Sequence, residues 1–250
     1  NLIHSIIFIA REMRRFKPDV AHYFLPEAYM LGGFLSFCIG PRHRVMSRRS
    51  RNFYQRRVPV LRLERLLHKH MDFILTNSTA SWIDLKNEGV PENKIVLSYN
   101  GIDANEFGRA TPDRSQLPEL DMPKGDFMIT CVANLIRYKG HSDIVSALKL
   151  VSNRASKIGL RPPRMLFVGE NHGIQAELEK QAAEAGIANL LQFSGPRSDI
   201  PQILNASNMA ILASHEEGMS NALLEYMCCA LPIIATDVGG NRELLGDAGL

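Results

Sequence analysis

Short apolar runs alternate with stretches of helical spacing along most of the chain. In the first half, Ile6–Phe16 has apolar residues at helical spacing and Lys17-Pro18-Asp19 stops it. Val20–Phe24 is a short apolar run, Glu27–Phe37 predicts a helix across Gly32-Gly33, and His43–Met46 predicts a strand. A helix over Val60–His70, with leucines at 61, 63, 66 and 67, leads to a strand over Phe73–Thr76. Thr79–Glu88 then reads as a helix and Ile95–Tyr99 as a strand closed by the turn signal Asn100-Gly101. Between Asp103 and Gly125 the rhythm breaks: prolines 112, 118 and 123 fall in a polar stretch, which reads as a linker. The second half predicts strands at Met128–Ala133, Met165–Val168, Leu190–Phe193, Met209–Leu212 and Ile233–Thr236. Between them lie helices at Ser142–Ala155, Ile174–Ala185, Asp199–Asn205 and Asn221–Cys229. Apolar strands separated by helices imply a parallel sheet covered on both faces, so the fold class is α/β. Two domains are expected, over residues 1–110 and 111–250.

Ligands of such sheets bind at the carboxyl ends of the strands. The loops that carry chemistry here all follow strands: Asn134–Gly140, Gly169–Gly173, Ser194–Arg197, Ser214–Ser220 and Asp237–Gly240. Residues 215–227, HEEGMSNALLEYM, enter a helix at Gly218–Ser220, and the free N–H groups of a helix start suit an anion. Two carboxylates, Glu217 and Glu225, flank that entry. Read by themselves they are also explained as acids favoured by the helix dipole and as a solvated helix residue.

Composition adds limits. The chain has 250 residues, 45% apolar and 22% charged, as an ordinary globular protein has. Its cysteines, Cys38, Cys131, Cys228 and Cys229, form no C-x-x-C pair and read as small core residues of a reducing, cytoplasmic chain. The chain starts at Asn1 and stops at Leu250 within what reads as a βα unit, so a fragment is expected. No apolar run approaches the roughly 18 residues of a membrane span. Residues 1–70 hold 14 Lys/Arg and 4 Asp/Glu, against 15 and 22 in the other 180. Much of the excess lies in Arg42–Arg57, which reads either as a solvated face or as a surface for anionic lipid or an anionic acceptor. Phe53 and Tyr54 interleave with these arginines, but no nucleic-acid motif accompanies them, so no nucleic-acid partner is expected. No D-x-D triplet and no zinc spacing occur, and no metal or other cofactor is expected.

Four stretches in this order, VANLIRYKGH (132–141), LFVGENHG (166–173), LQFSGPRSDIPQIL (191–204) and ASHEEGMSNALLEYMCCALPIIATDVGG (213–240), resemble the retaining GT-B-type glycosyltransferases of family 4. The first half is similar more loosely, through KPDVAH (17–22), ILTNSTASWIDLKNEGVPENKI (74–95) and YNGID (99–103). The resemblance implies two Rossmann-like domains, the first incomplete and acceptor-side, the second donor-binding and truncated at its end. It implies transfer of a sugar from a nucleotide-diphosphate sugar to a glycan or lipid-linked acceptor, with retention and without metal. A cytoplasmic enzyme of cell-surface polysaccharide or lipopolysaccharide synthesis, peripheral on the inner face of the membrane, fits that picture. Lys139 and Arg137 would then stabilise the leaving diphosphate, with backbone N–H groups of Gly218, Met219 and Ser220 and with Asn221 beside it. Glu217 would accept from donor-sugar hydroxyls and Glu225 from the ribose, about 12 Å apart if the eight intervening steps are helical. Arg197 would lie near the base. Two departures stand out: Asn134 occupies a position where the family often has arginine, and Phe24 one where a functional histidine often falls, which leaves His22 as the nearby candidate. A nucleotide-sugar epimerase or phosphorylase on the same fold, or a non-enzymatic module that binds anions, are the alternatives.

Overall fold

The computed structural model describes residues 2–49, 58–111, 115, 117, 120, 123 and 125–248. They divide into two compact units, residues 1–100 with 217–219 and residues 101–216 with 220–250.

The first unit runs α1 (Leu2–Phe16), β1 (Val20–Phe24), α2 (Pro26–Ile39), β2 (His43–Arg48), α3 (Val58–His68), β3 (Phe73–Thr76), α4 (Thr79–Asn87) and β4 (Ile95–Leu97). Its strands pair in parallel in the order β1-β2-β3-β4. Phe24 lies opposite Ser47 and Arg48 opposite Thr76, so the carboxyl ends of the first three strands finish level. The first glycine of the pair inside α2 has a packing cause. A Cβ on Gly32 would lie 2.6 Å from Cε1 of Tyr23, so the helix is bare where the β1 tyrosine sits against it. Tyr23, Tyr29, Met46, Leu67, Met71 and Ile74 form the centre of this core.

Under α3 and α4 lies a buried polar network that the sequence did not announce. Arg48 is 4% exposed and Glu64 0%. Arg48 donates to Glu88 Oε1 at 2.7 Å and to Glu64 Oε2 at 3.0 Å. His68 shares a hydrogen with Glu88 Oε2 at 3.0 Å through Nε2, and its Nδ1 lies 2.8 Å from the Tyr29 hydroxyl. Nε2–H donating to Glu88 and the tyrosine O–H donating to Nδ1 satisfy both contacts with a neutral ring. Burial agrees, because it pushes the His68 pKa below its ordinary value. Here the reading of Arg42–Arg57 as one charged face is corrected. Arg48 is interior because two carboxylates meet it there, and Arg44 donates inward to Ser36 O at 3.0 Å. Residues 50–57 of that segment lie outside the described residues.

The second unit runs β5 (Met128–Val132), α5 (His141–Lys157), β6 (Arg164–Val168), α6 (Gln175–Glu184), β7 (Leu191–Gly195), α7 (Ile200–Ala206), β8 (Met209–Leu212), α8 (Asn221–Cys228), β9 (Ile233–Ala235) and α9 (Asn241–Leu245). The sheet is parallel with order β7-β6-β5-β8-β9, so the chain reverses its direction of winding between β5 and β8. Alternate residues of β6 serve opposite faces. Met165 and Phe167 join the core under α5 and α6, while Leu166 and Val168 join the one with Ile203 and Ala206 of α7. That double burial is why these strands read as continuous apolar runs. The stretch read as a linker is packed against this unit. Leu117 and Leu120 are buried, Ala110 N donates to Asn205 Oδ1 at 2.7 Å, and the Cys229 thiol reaches Phe107 O at 3.2 Å.

Removing the central guanidinium should be costly, since it strands two buried carboxylates. Arg48→Met is expected to destabilise the first unit by about 3–5 kcal/mol. Acid should act on the same network. Burial, the largest single influence, works to raise the Glu88 carboxyl, but its bonds to His68 and Arg48 and their charges together outweigh burial and hold the carboxyl at about 2 against an ordinary 4.5. It therefore contributes stability that is present above pH 4.5 and lost as pH falls towards 2. His68, depressed below 6.5, acts in the same direction from pH 6.5 downwards. Glu88→Gln should flatten the fall below pH 4.5. Urea midpoints followed through Trp82, the only tryptophan and a residue of α4, measure both effects. An unchanged acid slope in Glu88→Gln would count against the network.

Candidate functional site

The reversal of winding between β5 and β8 opens a crevice at the carboxyl edge of the second sheet, the place where parallel sheets bind ligands. The loops there are laterally bonded. Gly140, with φ 70, ends the turn Arg137–Lys139 and starts α5. A Cβ on it would lie 1.9 Å from Ala213 O, so only glycine lets the loop after β5 touch the loop after β8. His215 N donates to Tyr138 O at 2.7 Å, and the His215 ring meets Asp143 Oδ2 at 2.6 Å. On the other side, Leu135 N donates to Glu170 O at 2.8 Å and Gly169 N to Gly195 O at 3.0 Å. Thr236 Oγ1 donates to Ser214 O at 2.5 Å, which ties in the loop after β9. Asn134 is part of this stitching: its Oδ1 accepts from Glu170 N at 3.0 Å. An asparagine at that position braces the next loop.

α8 is the helix that enters this crevice. Its N-cap is Ser220, whose Oγ accepts from Leu223 N at 3.5 Å, and its first residue is Asn221, exposed. The helix is fixed to β5 by the fully buried Tyr226, whose hydroxyl accepts from Val132 N at 2.7 Å. The next residue back, Glu225, is partly buried. Burial, with Glu106 nearby, raises its pKa to about 7. The expected helical rise between Glu217 and Glu225 is corrected. Only Asn221–Glu225 of that span is helical, because Ser220 has extended backbone as the cap. The helix-start N–H groups are thus those of Asn221 and Ala222, with Leu223 N taken by the cap, and not those of Gly218 and Met219.

Other sequence candidates are placed as follows. Lys139 is half-buried, with Nζ 5.4 Å from the centre of the Tyr138 ring. Arg137 is exposed and donates to Glu177 Oε1 at 2.6 Å. Arg197, after β7, makes a two-pronged pair with Asp199, at 2.7 and 2.5 Å. Glu217, Gly218 and Met219 group with the first unit. A Cβ on Gly218 would lie 2.2 Å from Arg49 O, and Asn100 Nδ2 donates to Met219 O at 3.2 Å. His22 lies on β1 with Nε2 2.8 Å from Ser47 Oγ and its ring 4.1 Å from that of Phe24. Partial burial, then the Arg49 charge, lower its pKa. Among the described residues, Glu64, His68 and Glu88 bring potential metal-ligand atoms within 4.8 Å of one another, but they are organised around the Arg48 guanidinium. No described helix is long and apolar enough to cross a membrane.

Sequence reading missed Gly140 as a contact glycine and Tyr226 as the anchor of α8. The signals were present as a glycine directly before a helix and a tyrosine on an otherwise apolar helix face.

A doubly wound sheet with a stitched rim and a polar helix start at its switch point defines a ligand-binding α/β unit. The chain belongs to the glycosyl transferases group 1 family, whose model matches residues 113–249, and the model of Glycosyltransferase Family 4 matches residues 2–106. Its two α/β units are those of a GT-B glycosyltransferase. It is 27% identical over 193 residues to the UDP-Gal:alpha-D-GlcNAc-diphosphoundecaprenol alpha-1,3-galactosyltransferase of Escherichia coli, covering 72% of this chain and 49% of that protein. It is 26% identical over 188 residues to the lipopolysaccharide core biosynthesis mannosyltransferase LpsB of Rhizobium meliloti, covering 72% and 50%. The crystal structure of Anabaena Alr3699/HepE in complex with UDP and glucose matches with TM-score 0.85 at 23% identity, over 98% of this chain and 66% of that one. The chain thus spans about half the length of the curated relatives it matches.

Glu225 offers a test that needs no substrate. Its folded pKa of about 7 lies above the ordinary 4.5, so between these values the folded chain holds more protons than the unfolded one. Stability from this group therefore falls as pH rises from 4.5 to 7. Glu225→Gln should melt above the wild type at pH 8 and lose that advantage at pH 4. Equal differences at both pH values in thermal unfolding would contradict the burial of this carboxyl.

Proposed function

We propose that the whole protein transfers a sugar from a nucleotide-diphosphate sugar to a glycan or lipid-linked acceptor, with retention at the anomeric carbon and without a metal. The observation that carries the reading is the α8 entry with its Ser220 cap, on the chain that leaves β8, whose first loop touches the loop carrying Lys139 through the Gly140–Ala213 approach. The family supports the reaction class, and the resemblance supplies retention.

The reaction breaks the bond between the anomeric carbon and the diphosphate, and negative charge grows on the leaving oxygens. Lys139 and Arg137 stabilise that charge, and the α8 N–H groups of Asn221 and Ala222 add a fixed positive pole. Gly218, Met219 and Ser220 line the donor on the entry side. Glu217 accepts from hydroxyls of the transferred sugar, where positive charge develops at the ring. Glu225 accepts from the ribose hydroxyls, which it can do fully only as a carboxylate. Arg197 lies towards the base, and His22 towards the acceptor. The acceptor is a polysaccharide or lipopolysaccharide precursor, and the segment Arg42–Arg57, of which Arg42 and Arg49 are exposed, meets an anionic membrane surface on the cytoplasmic side.

These roles fail in distinguishable ways. Lys139→Ala should lower kcat by about 10²–10³-fold, the size of one lost oxyanion donor. Glu225→Gln should mainly raise KM, and Glu217→Gln should lower both kcat and kcat/KM. Activity should survive EDTA. Donor KM in the wild type should rise as pH falls below 7, since Glu225 then takes up a proton, and Glu225→Gln should abolish that dependence. Steady-state kinetics of the three variants decide the matter. A Glu225→Gln enzyme with kcat as low as Lys139→Ala and an unchanged KM would overturn the assignment.

A further inference from the structure

The stretch VANLIRYKGH ends in a residue that the proposed reaction does not use, His141. It is the first residue of α5, and its side chain is fully buried at 0% exposure. The ring stands edge-on to Phe167 of β6, with centroids 5.2 Å apart, so it enters the core under α5 and α6. Neither ring nitrogen makes a well-formed hydrogen bond. The groups that act on the ring as acceptors are the backbone carbonyls of Ala133 and Ile136. Burial pushes the His141 pKa down to about 4, with the Lys139 charge working in the same direction and the two carbonyls against it. The ring is therefore neutral under ordinary conditions and has a single N–H to offer.

For stability alone this is a poor place for a histidine. A phenylalanine or leucine would fill the same core position without desolvating two nitrogens, and buried polar groups short of partners destabilise a fold. The carbonyls beside the ring supply another reason for it. Ala133 directly follows β5, and Ile136 directly precedes the turn Arg137–Lys139, so the two bracket the start of the loop. The Ile136 carbonyl also accepts from Lys139 N at 3.0 Å, which makes one oxygen common to the ring and to the backbone of the lysine. The far end of the same loop is fixed by the close approach of Gly140 to Ala213. We propose that His141 is a positioning residue of the donor site, whose one ring N–H holds a carbonyl at the start of this loop and so sets where the Lys139 ammonium stands at the rim. Being buried, it touches no ligand and acts through Lys139. The inference rests on the donor reading of Lys139 and adds a residue to it.

The test is a double-mutant cycle on the UDP affinity of the whole protein, measured by calorimetry, with thermal unfolding of the same samples. His141→Phe keeps a ring against Phe167 and removes the N–H, and His141→Leu does so with a smaller side chain. Both should melt at or above the wild type and bind UDP roughly tenfold more weakly, mid-range for coupled neighbours. In a Lys139→Ala background the same changes should alter the affinity by less than about twofold, because the group they position is gone. His141→Asn places an amide near the position of Nδ1 and His141→Gln near that of Nε2, and one of the two should recover most of the affinity. Equal losses in both backgrounds, apolar variants that melt below the wild type or bind UDP as well as it does, or no recovery by either amide would overturn the proposal. UDP bound by the wild type with additive effects in the cycle refutes the role of His141 alone. A wild type that binds no UDP refutes the donor reading and this inference with it.

Discussion

The second unit depends on one close approach, the backbone of Gly140 against the carbonyl of Ala213. With 1.9 Å between that oxygen and the position a Cβ would take, no other residue fits without moving a strand-end loop. The contact joins the two loops that leave the switch point of the sheet, one carrying Arg137 and Lys139 and the other leading to α8. Once they touch, the His215–Tyr138 and His215–Asp143 bonds close around them. The neighbouring loops are held by Asn134 and Thr236. A rim tied this way holds its polar groups in place before a ligand arrives, which is what the proposed stabilisation of a leaving diphosphate requires.

Burial sets the charge states that such a rim can use. Tyr226 holds α8 to the end of β5, and the neighbouring Glu225 is withdrawn from water enough to titrate near neutrality. In the first unit the opposite holds: Glu88 keeps its charge far into acid because His68 and Arg48 meet it. The same side chain type is thus tuned in two directions by its partners.

The α/β class and the sequence order of strands and helices were legible because the strands are apolar on both faces and the helices have their own period. Met209–Leu212 and Phe73–Thr76 coincide with β8 and β3 to the residue. Helix ends were less legible. The α8 start at Asn221 was read correctly, but the helical rise counted from Glu217 was not, because a cap is a matter of backbone angle, which the apolar pattern does not carry. The chemistry-bearing loops could be named from glycines and charges after strands, but not what those charges do. Arg48 sits in a basic run and yet is interior, since its partners Glu64 and Glu88 lie 16 and 40 residues away. Arg137 pairs with Glu177 across a similar distance along the chain. Pairings of that kind follow from topology, and period and composition are silent about them.

The central claim is that the Gly140–Ala213 contact builds the proposed donor site, and a pair of matched substitutions tests it. Gly140 and Gly186 both have φ 70, but a Cβ on Gly186 would meet nothing within 4 Å. Replacing either by alanine carries the same backbone penalty of about 1–2 kcal/mol, so any further difference belongs to the contact. UDP affinity of the whole protein, measured by calorimetry on samples shown to be folded by circular dichroism, should collapse in Gly140→Ala and stay near wild type in Gly186→Ala. UDP bound equally well by both variants would contradict the account.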